Sequence, residues 1–410
     1  MEASVDSLGA VELRNQLQQA GGKEHNLPST VVFDYPTARA LAALFERSGC
    51  STERLQRNVL PRHNLAAPTE HEISQADMRL IGTSCVEPGG VENHGALKEL
   101  MTTGKDTISP FPHHRQDLAS AKADVHCGTL TTFHLFDGRA FAVAPAEAAA
   151  MDPQQRLTLD CGYKALHSAQ ARRSSLASSL VGVTVGVWST EFFHGSNATA
   201  GPYHAMNTLS VCAGRVSFAL GLHGSAIAVD AACAASLVAC HLAIRNTESD
   251  MELVAGVNIL WTSASVAVGV AAGMGSAKFR CHTFDQRADG YVRAEACVAV
   301  ALKPGPLIGT RIHGIATRQD GRSASLTAPN GAAQMLLLRS AVERANIAPK
   351  EIIQLEAHGT GTALGDPIEI GGLASVVLLG RRASEEAAVG SLKANVGHAE
   401  TGAGLAGLLA

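Results

Sequence analysis

The sequence predicts an α/β protein in which helices cover the faces of β-sheets, preceded by a small unit that is wholly helical. From about residue 76 onward, short apolar runs typical of strands alternate with segments of helical periodicity. The chain carries 40 glycines but only 4% aromatic residues, which indicates tight turns and close packing of small side chains. Strands are expected at 78–82, 180–187, 226–229, 254–260, 297–302, 311–316 and 352–356, and helices at 153–168, 235–245 and 331–345.

Residues 1–49 are expected to form the small helical unit. Asp6 can cap a first helix, whose apolar positions include Leu8, Val11, Leu13 and Leu17. A last helix at 40–49 ends at Gly49, because glycine favours helix termination. Polar residues with weak periodicity occupy 50–73, which predicts a linker.

Both ends of the chain are abrupt. It begins with a helix that has nothing before it to pack against, and it stops within an apolar helical run at 404–410. We therefore expect a fragment of a longer polypeptide.

Composition and charge argue against several classes of protein. The 33 basic and 37 acidic residues of this 410-residue chain give a net charge of -4, so nucleic-acid binding is not expected. No apolar run is long enough to span a bilayer, and the first residues lack a secretory signal. The nine cysteines include no CxxC pair, which argues against a disulfide scaffold or a zinc ribbon. A reducing compartment, the cytoplasm or an organelle, is predicted.

Cys233 gives the strongest chemical signal. An apolar strand at 226–229 runs into a turn of small residues and then into a helix, with Cys233 at the turn. Small neighbours allow a sharp elbow and close approach of a substrate, and a helix N-terminus would lower the pKa of the thiol. The alternative is a buried structural cysteine, which is what we expect of Cys240 two helical turns further on.

A second signal follows the strand at 352–356. Alternating glycine and threonine come directly after His358, and the hydroxyls of Thr360 and Thr362 can bind a polar ligand. This setting favours a histidine that contacts a substrate over a structural one.

The third signal pairs Lys393 with His398. The lysine charge would keep a nearby imidazole neutral, which suits a hydrogen-bonding role. The alternatives are a solvated lysine beside a helix-capping histidine, and a metal site that uses His358 and His398. Because no carboxylate or cysteine stands at ligand spacing, we expect no bound metal.

Ser7 lies in the first turn of the first predicted helix. A phosphate attached to it would meet free backbone N–H groups and the positive end of the helix dipole. An ordinary helix start explains the same residues without a phosphate.

Together these segments resemble a ketosynthase of polyketide synthases, preceded by the later part of an acyl carrier protein. The ketosynthase resemblance runs from about residue 78 to the end, and the carrier resemblance covers about 1–48. The ketosynthase motifs are 151–156 (MDPQQR), the segment around Cys233, 283–285 (TFD), 288–293 (ADGYVR), 326–331 (LTAPNG) and the loops around His358 and His398. The carrier motifs are 6–8 (DSL), 11–15 (VELRN) and 32–37 (VFDYPT).

The resemblance implies a thiolase-like fold of five αβαβα layers, in which two similar halves sandwich central helices, and a homodimer. It divides the chain into a partial, all-α carrier at 1–49, a linker at 50–73, and ketosynthase halves at 74–305 and 306–410, the second incomplete. It also implies a catalytic set of Cys233, His358 and His398, supported by Lys393, and a covalent 4'-phosphopantetheine on Ser7.

The implied reaction is a decarboxylative Claisen condensation. Cys233 would accept an acyl chain from a carrier thioester, while the two histidines hold a malonyl thioester as carbon dioxide leaves. The implied partners are acyl and malonyl thioesters on carrier proteins and other polyketide synthase domains. One rival is a ketosynthase that transfers acyl chains without elongation. Another is a thiolase or hydrolase, but a thiolase would need a second cysteine in place of one histidine.

Several segments depart from the family pattern. Around Cys233, the hydroxyls of the usual Thr-Ala-Cys-Ser-Ser-Ser give way to methyls in 231–236 (AACAAS). The usual Arg-Gly-Glu-Gly is replaced by 293–296 (RAEA), which we expect to strain a tight backbone. Residues 85–90 keep only part of the early pattern, the tryptophan expected after them is absent, and the chain ends before the closing Gly-Phe-Gly-Gly loop.

Overall fold

The computed structural model describes most of the chain from residue 78 onward and three short pieces before it. The described residues are 14, 17–18, 31–35, 78–112, 115, 125–189, 191–195, 203–271, 273–305, 309–323, 325, 327–382 and 385–410. Ser7, its Asp6 cap and the predicted linker at 50–73 lie outside them. Within these ranges, no helix has both the length and the apolar character that a bilayer crossing requires.

Ten strands form three sheets in the described part of the chain. They are β1 (Met78–Val86), β2 (Ser109–Pro110), β3 (His126–Cys127), β4 (Val181–Gly186), β5 (Ala226–Val229), β6 (Met251–Asn258), β7 (Ala296–Pro304), β8 (Thr310–Arg311), β9 (Gln354–Glu356) and β10 (Ala388–Gly390). The main sheet has the order β5-β4-β6-β7-β1-β8. Strands β5, β4 and β6 are parallel to one another, whereas β7 is antiparallel to both β6 and β1.

Thirteen α-helices lie along the same described part of the chain. They are α1 (Val31–Asp34), α2 (His94–Thr103), α3 (Pro145–Ala150), α4 (Pro153–Ser168), α5 (Arg173–Leu176), α6 (Glu191–Gly195), α7 (Leu209–Leu220), α8 (Ala235–Arg245), α9 (Ser263–Ala271), α10 (Gly331–Ala345), α11 (Gly365–Leu373), α12 (Lys393–Val396) and α13 (Ala403–Leu409).

Helix and sheet alternate in five layers. Helices α4 and α7 cover one face of the main sheet, and α8 and α13 cover the other face. Beyond α13, the β9–β10 pair packs against α10 and α11, where Leu338, Leu355 and Leu373 belong to one apolar cluster. The α8 and α13 helices therefore lie inside the molecule, and they carry the turns that build the site.

Strand β7 shows why the central strands are apolar without interruption. Cys297, Ala299 and Ala301 pack into the core on the α4 side, whereas Ala296, Val298 and Val300 pack into the core on the α8 side. Because side chains alternate between the two faces of a strand, a strand that is buried on both faces has no place for polar residues.

The sequence prediction is confirmed for most elements and wrong for one strand. The helices expected at 153–168, 235–245 and 331–345 have those bounds in the structure. The strand expected at 311–316 is wrong, because only Thr310–Arg311 pairs with the edge of β1. Beyond it the chain turns away to pack on α10, so closely that a Cβ on Gly314 would lie 2.6 Å from the carbonyl oxygen of Ala341.

Candidate active site

Cys233 lies on an elbow between β5 and α8. The chain passes from β5 through a single 3-10 turn, Ala232–Ala234, directly into α8. Ala232 has a φ of 46°, a left-handed conformation that non-glycine residues rarely adopt. Asp230 stabilises this turn, because its Oδ1 accepts a hydrogen bond of 3.2 Å from the Ala232 amide. The tight turn presents the half-buried Cys233 thiol beside the helix start.

The two histidines of the sequence prediction meet this thiol. His358 follows β9, and His398 follows α12 through Gly397, whose φ is 84°. Their ring centroids lie 5.4 Å apart, and the ring planes are nearly perpendicular at 87°. The Cys233 sulfur and one nitrogen from each ring all lie within 4.8 Å of one another. The structure therefore brings together three residues that are far apart in the sequence.

His398 has a defined orientation. Its amide donates a hydrogen bond of 2.7 Å to the Val292 carbonyl, and its own carbonyl accepts one of 2.9 Å from the Ala294 amide. The ring Nδ1 accepts a hydrogen bond of 3.2 Å from the Glu400 amide. Because Nδ1 is an acceptor, a neutral ring carries its proton on Nε2, which is the nitrogen available to a ligand.

The surroundings of His398 keep it neutral. Its side chain is buried, and burial lowers its pKa well below the ordinary value. Electrostatic repulsion from Lys393, His358 and Arg293 lowers the pKa further. The Tyr291 ring packs against the imidazole at a centroid distance of 5.2 Å, with the two ring planes at 77°. A neutral ring at this position donates a hydrogen bond without adding charge to the pocket.

The loop of His358 is fixed by a carboxylate. Glu369 on α11 accepts hydrogen bonds from the amides of His358 and Gly359, at 2.6 and 2.8 Å. Although the His358 side chain reaches solvent, the protein packed around it and then the Lys393 charge lower its pKa. Both imidazoles are therefore neutral near pH 7.

Lys393 lies at the start of α12 and is buried. Burial lowers its pKa, while Glu356 is the largest of the influences that raise it. Its proximity to both histidines agrees with the expectation that a lysine charge keeps them neutral.

The thiol of Cys233 differs from the sequence prediction in one property. We expected a lowered pKa at a helix start, but the pKa of Cys233 is raised, chiefly by burial. Its own backbone amide and the Lys393 charge lower the pKa by less than burial raises it. The methyl-lined turn supplies too few donors to replace the water that a thiolate would lose, so the resting form is the thiol.

Neither threonine of the glycine-threonine loop lines the pocket at Cys233. The Thr362 Oγ1 accepts a hydrogen bond of 3.1 Å from the Gly365 amide at the start of α11, and Thr360 is buried. A cavity of about 370 Å³ in front of Cys233 is lined by other residues, among them Ala234, Leu237 and Leu408. Contact of either threonine with a substrate stays a prediction.

The expected strain at residues 293–296 is not seen. Neither Ala294 nor Ala296 has a positive φ. Their methyl groups fit because glycines face them: a Cβ on Gly128 would lie 2.8 Å from that of Ala294, and a Cβ on Gly402 would lie 3.3 Å from that of Ala296. This part of the prediction is wrong because the glycines that allow close approach stand on the facing segments.

Several polar residues of the site were missed in the sequence analysis. The Glu369 carboxylate binds the His358 loop, and the Glu400 amide binds the His398 ring. Arg293 pairs with Glu400, and Tyr291 packs on His398. Glu369 stands 11 positions after His358, and no local pattern shows that its carboxylate returns to that amide. Tyr291 and Arg293 lie within the 288–293 motif, which was the available signal.

The ligand spacing in the sequence does not exclude a metal in the folded chain, because Cys233 lies beside both histidines. Cys233, His358 and His398 form the one close group of His, Cys, Asp or Glu ligand atoms within the described ranges. Thiolate and imidazole are ligands that zinc accepts, so a test of the site needs a chelator control.

Family models match nearly the whole chain. Residues 76–306 match the beta-ketoacyl synthase N-terminal domain, and residues 310–410 match the corresponding C-terminal domain. Residues 1–45 match the phosphopantetheine attachment site family.

Curated relatives and solved structures agree with these matches. A spectinabilin polyketide synthase system protein from Streptomyces orinoci is 36% identical over 423 residues, covering 100% of this chain and 11% of that protein. A phenolphthiocerol/phthiocerol polyketide synthase subunit from Mycobacterium tuberculosis is 37% identical, covering 90% of this chain and 18% of that protein. The chain thus spans less than a fifth of the length of these relatives.

The ketosynthase from module 6 of the bacillaene synthase of Bacillus subtilis is similar in structure, with a TM-score of 0.75 and 34% identity over 81% of this chain and 60% of that one. The thiolase-like fold that the sequence implied is therefore confirmed. The chain belongs to the beta-ketoacyl synthase family, in the form found in modular polyketide synthases.

Proposed function

We propose that this chain catalyses a decarboxylative Claisen condensation, with Cys233 as the residue that carries the acyl chain. The observation that supports it is the position of the thiol, within 4.8 Å of a ring nitrogen of both His358 and His398. A soft nucleophile forms a thioester readily, and two neutral N–H donors stabilise an enolate oxygen.

In the first half-reaction, the Cys233 sulfur attacks the carbonyl of an acyl thioester on a carrier protein. The bond from the carbonyl carbon to Cys233 forms, and the bond to the carrier sulfur breaks. The thiol proton finally passes to the departing carrier thiolate. Because the pKa of Cys233 is raised, the sulfur keeps this proton until it attacks, and solvent in the cavity relays the proton without either imidazole.

In the second half-reaction, the two histidines bind the carbonyl oxygen of a malonyl thioester. The bond to the carboxylate breaks, carbon dioxide leaves, and the electron pair moves into an enolate that the ring N–H groups stabilise. The enolate carbon then attacks the acyl carbonyl on Cys233. A carbon–carbon bond forms, the sulfur leaves as thiolate, and it takes up a proton.

Separate measurement of the two half-reactions tests this proposal. In the intact protein, Cys233→Ala should abolish the acyl adduct found by peptide mass mapping, whereas Cys240→Ala, in the core of α8, should keep it. His358→Ala or His398→Ala should leave acylation largely intact and lower carbon dioxide release by about two orders of magnitude. A chelator should change neither rate.

Two results would contradict the assignment. Labelling that survives Cys233→Ala would exclude this nucleophile. Equal loss of acylation and decarboxylation in the histidine variants would show that the histidines serve the structure and not the second half-reaction. A protein that acylates Cys233 but never forms the condensed product would be a transferring, non-elongating ketosynthase.

We also propose that Ser7 carries 4'-phosphopantetheine. The match of residues 1–45 to the phosphopantetheine attachment family supports an attachment site in this region, and Ser7 follows the helix-capping Asp6. Incubation of the intact protein with a phosphopantetheinyl transferase and coenzyme A should add mass to the peptide that holds Ser7. Ser7→Ala is the matched control. Unchanged loading of that variant would exclude Ser7.

The remaining organisation is proposed on the same grounds. We propose a carrier at 1–49, a linker at 50–73 and ketosynthase halves at 74–305 and 306–410. Acyl and malonyl thioesters on carrier proteins and other polyketide synthase domains would be its partners. We further propose a homodimer, which the exposed outer edge of β5 supports.

A further inference from the structure

A connected group of three charged residues, Glu400, Arg293 and Glu191, has no part in the proposed chemistry. Glu400 follows His398 by two positions, is 8% exposed, and has a φ of 46°. A left-handed backbone is unfavourable for glutamate, so surrounding contacts must hold it in place. Such strain next to a site residue points to a role in positioning.

Arg293 supplies those contacts. Its Nε and Nη2 donate hydrogen bonds of 2.8 Å each to the two carboxylate oxygens of Glu400, which is the bidentate geometry of a strong charge-assisted pair. The same Nη2 lies 3.5 Å from Oε1 of Glu191, and the Oε2 of Glu191 accepts a hydrogen bond of 3.0 Å from the Trp261 amide. The guanidinium thus joins the His398 loop to the segments that follow β4 and β6.

The same stretch of chain also holds His398 through the backbone. Val292 and Ala294 flank Arg293 and bond to the His398 amide and carbonyl. The side chain of Arg293 therefore fixes Glu400 from the same segment whose backbone fixes His398. Between them lies the Glu400 amide, which donates to the His398 Nδ1 at 3.2 Å.

We propose that Arg293 and Glu400 are positioning residues that keep the proton of neutral His398 on Nε2. By holding Glu400 in its left-handed conformation, the ion pair keeps the Glu400 amide on Nδ1, and the ring then presents Nε2–H to the thioester carbonyl. Neither residue touches the reacting atoms. The consequence for catalysis rests on the proposed function, whereas the consequence for the tautomer does not.

Four variants separate the ion pair from the backbone conformation. Glu400→Ala removes the carboxylate and keeps the cost of a positive φ, whereas Glu400→Gly removes the carboxylate and that cost together. Glu400→Gln keeps the shape without the charge, and Arg293→Lys removes the planar fork. Glu147→Ala is the matched control, because Glu147 forms a half-buried pair with Arg215 between α3 and α7, and neither residue lines the cavity at Cys233.

We expect the Ala variant to lose about tenfold or more in decarboxylation, the usual scale for losing a partner that orients a functional imidazole. Acylation of Cys233 should change by less than about threefold, which a general loss of structure would not allow. Glu400→Gly should recover part of the decarboxylation that Glu400→Ala loses. Glu400→Gln should retain more decarboxylation than Glu400→Ala. The Glu147→Ala control should leave both half-reactions unchanged.

The tautomer gives a readout that does not depend on activity. In protein labelled with 15N-histidine, the His398 signals, assigned by their loss in His398→Ala, should report Nε2–H in the wild type and a mixture of tautomers in Glu400→Ala. An unchanged tautomer in Glu400→Ala and Arg293→Lys would overturn the inference, as would equal loss of both half-reactions. If the wild type releases no carbon dioxide, the proposed function fails, and the tautomer measurement still decides on the ion pair.

Discussion

At the scale of single residues, small side chains bring Cys233 against the main sheet. A Cβ on Gly256 of β6 would lie 2.7 Å from the Cβ of Ser236 and 2.8 Å from the Thr401 carbonyl oxygen. Ser236 itself accepts a hydrogen bond of 3.1 Å from the Leu405 amide through its hydroxyl. The start of α8 and the turn before α13 therefore approach the sheet closely because glycine stands beneath them. This explains how the elbow persists although methyls replace the usual hydroxyls around it.

Glu87 lies in the early segment, 85–90, that keeps only part of the family pattern. It follows β1, is 2% exposed, and neither carboxylate oxygen has a hydrogen-bond partner in the part of the chain that is described. Burial, and then the charge of Glu356, raises its pKa to about 8. The carboxyl is therefore protonated in the folded protein at neutral pH.

We predict that Glu87→Leu stabilises the protein, and that the gain grows with pH. The folded-state pKa of about 8 lies above the ordinary value of 4.5, so the folded state holds this proton to higher pH than the unfolded state. Wild-type stability from this group is thus fully present below about pH 4.5 and is lost as the pH rises through about 8. At about 1.4 kcal/mol per pKa unit, the loss reaches several kcal/mol.

Denaturant unfolding of both proteins between pH 5 and 9 measures this difference. Glu87→Gln is the control, since it removes the titration but keeps an unpaired polar group, so it should show the same pH trend with a smaller gain. A pH-independent difference, or a less stable Leu variant at pH 8, would mean that the carboxylate has a favourable partner.

At the scale of elements, the sequence predicted the helices and strands whose apolar pattern follows directly from their own burial. Helices α4, α8 and α10 have a clear helical period, and the doubly buried β7 is a continuous apolar run. Residues 311–316 carry apolar residues that predict a strand, but strand formation depends on a pairing partner, and of these six residues only Arg311 is in register with β1. A local pattern cannot show where such a partner ends.

The residues of the candidate site also divide into those that a local sequence pattern shows and those that it does not show. Cys233, His358, Lys393 and His398 could be found because each lies in a short motif of glycine, small residues or neighbouring charge. Glu369 and the Arg293–Glu400 pair could not be found, because they act across contacts between distant segments. The raised pKa of Cys233 was also missed, since it depends on burial in the folded protein and not on the helix start alone.

At the scale of the whole molecule, the main sheet ends in an exposed edge. Strand β5 stands at the end of the sheet order and pairs with β4 on one side. Its residues Ala226 and Ile227 are exposed, and the exposed fraction of Ile227 is 40%. Phe218 on α7, which packs against this strand, is 88% exposed. Native proteins rarely leave a free edge and a large apolar side chain together in solvent, because such surfaces associate. A second copy of the chain would satisfy both features.

We therefore predict that Ile227→Lys and Phe218→Asp convert a dimer into monomers. A charge on this edge loses its hydration when two copies meet, so each change should weaken dimerisation at least about tenfold. Sedimentation velocity across a dilution series of the intact protein measures the change. Leu379→Asp is the matched control, because Leu379 is 77% exposed and lies outside β5 and α7. A wild-type monomer would exclude the contact, and a dimer that survives both substitutions would place it elsewhere.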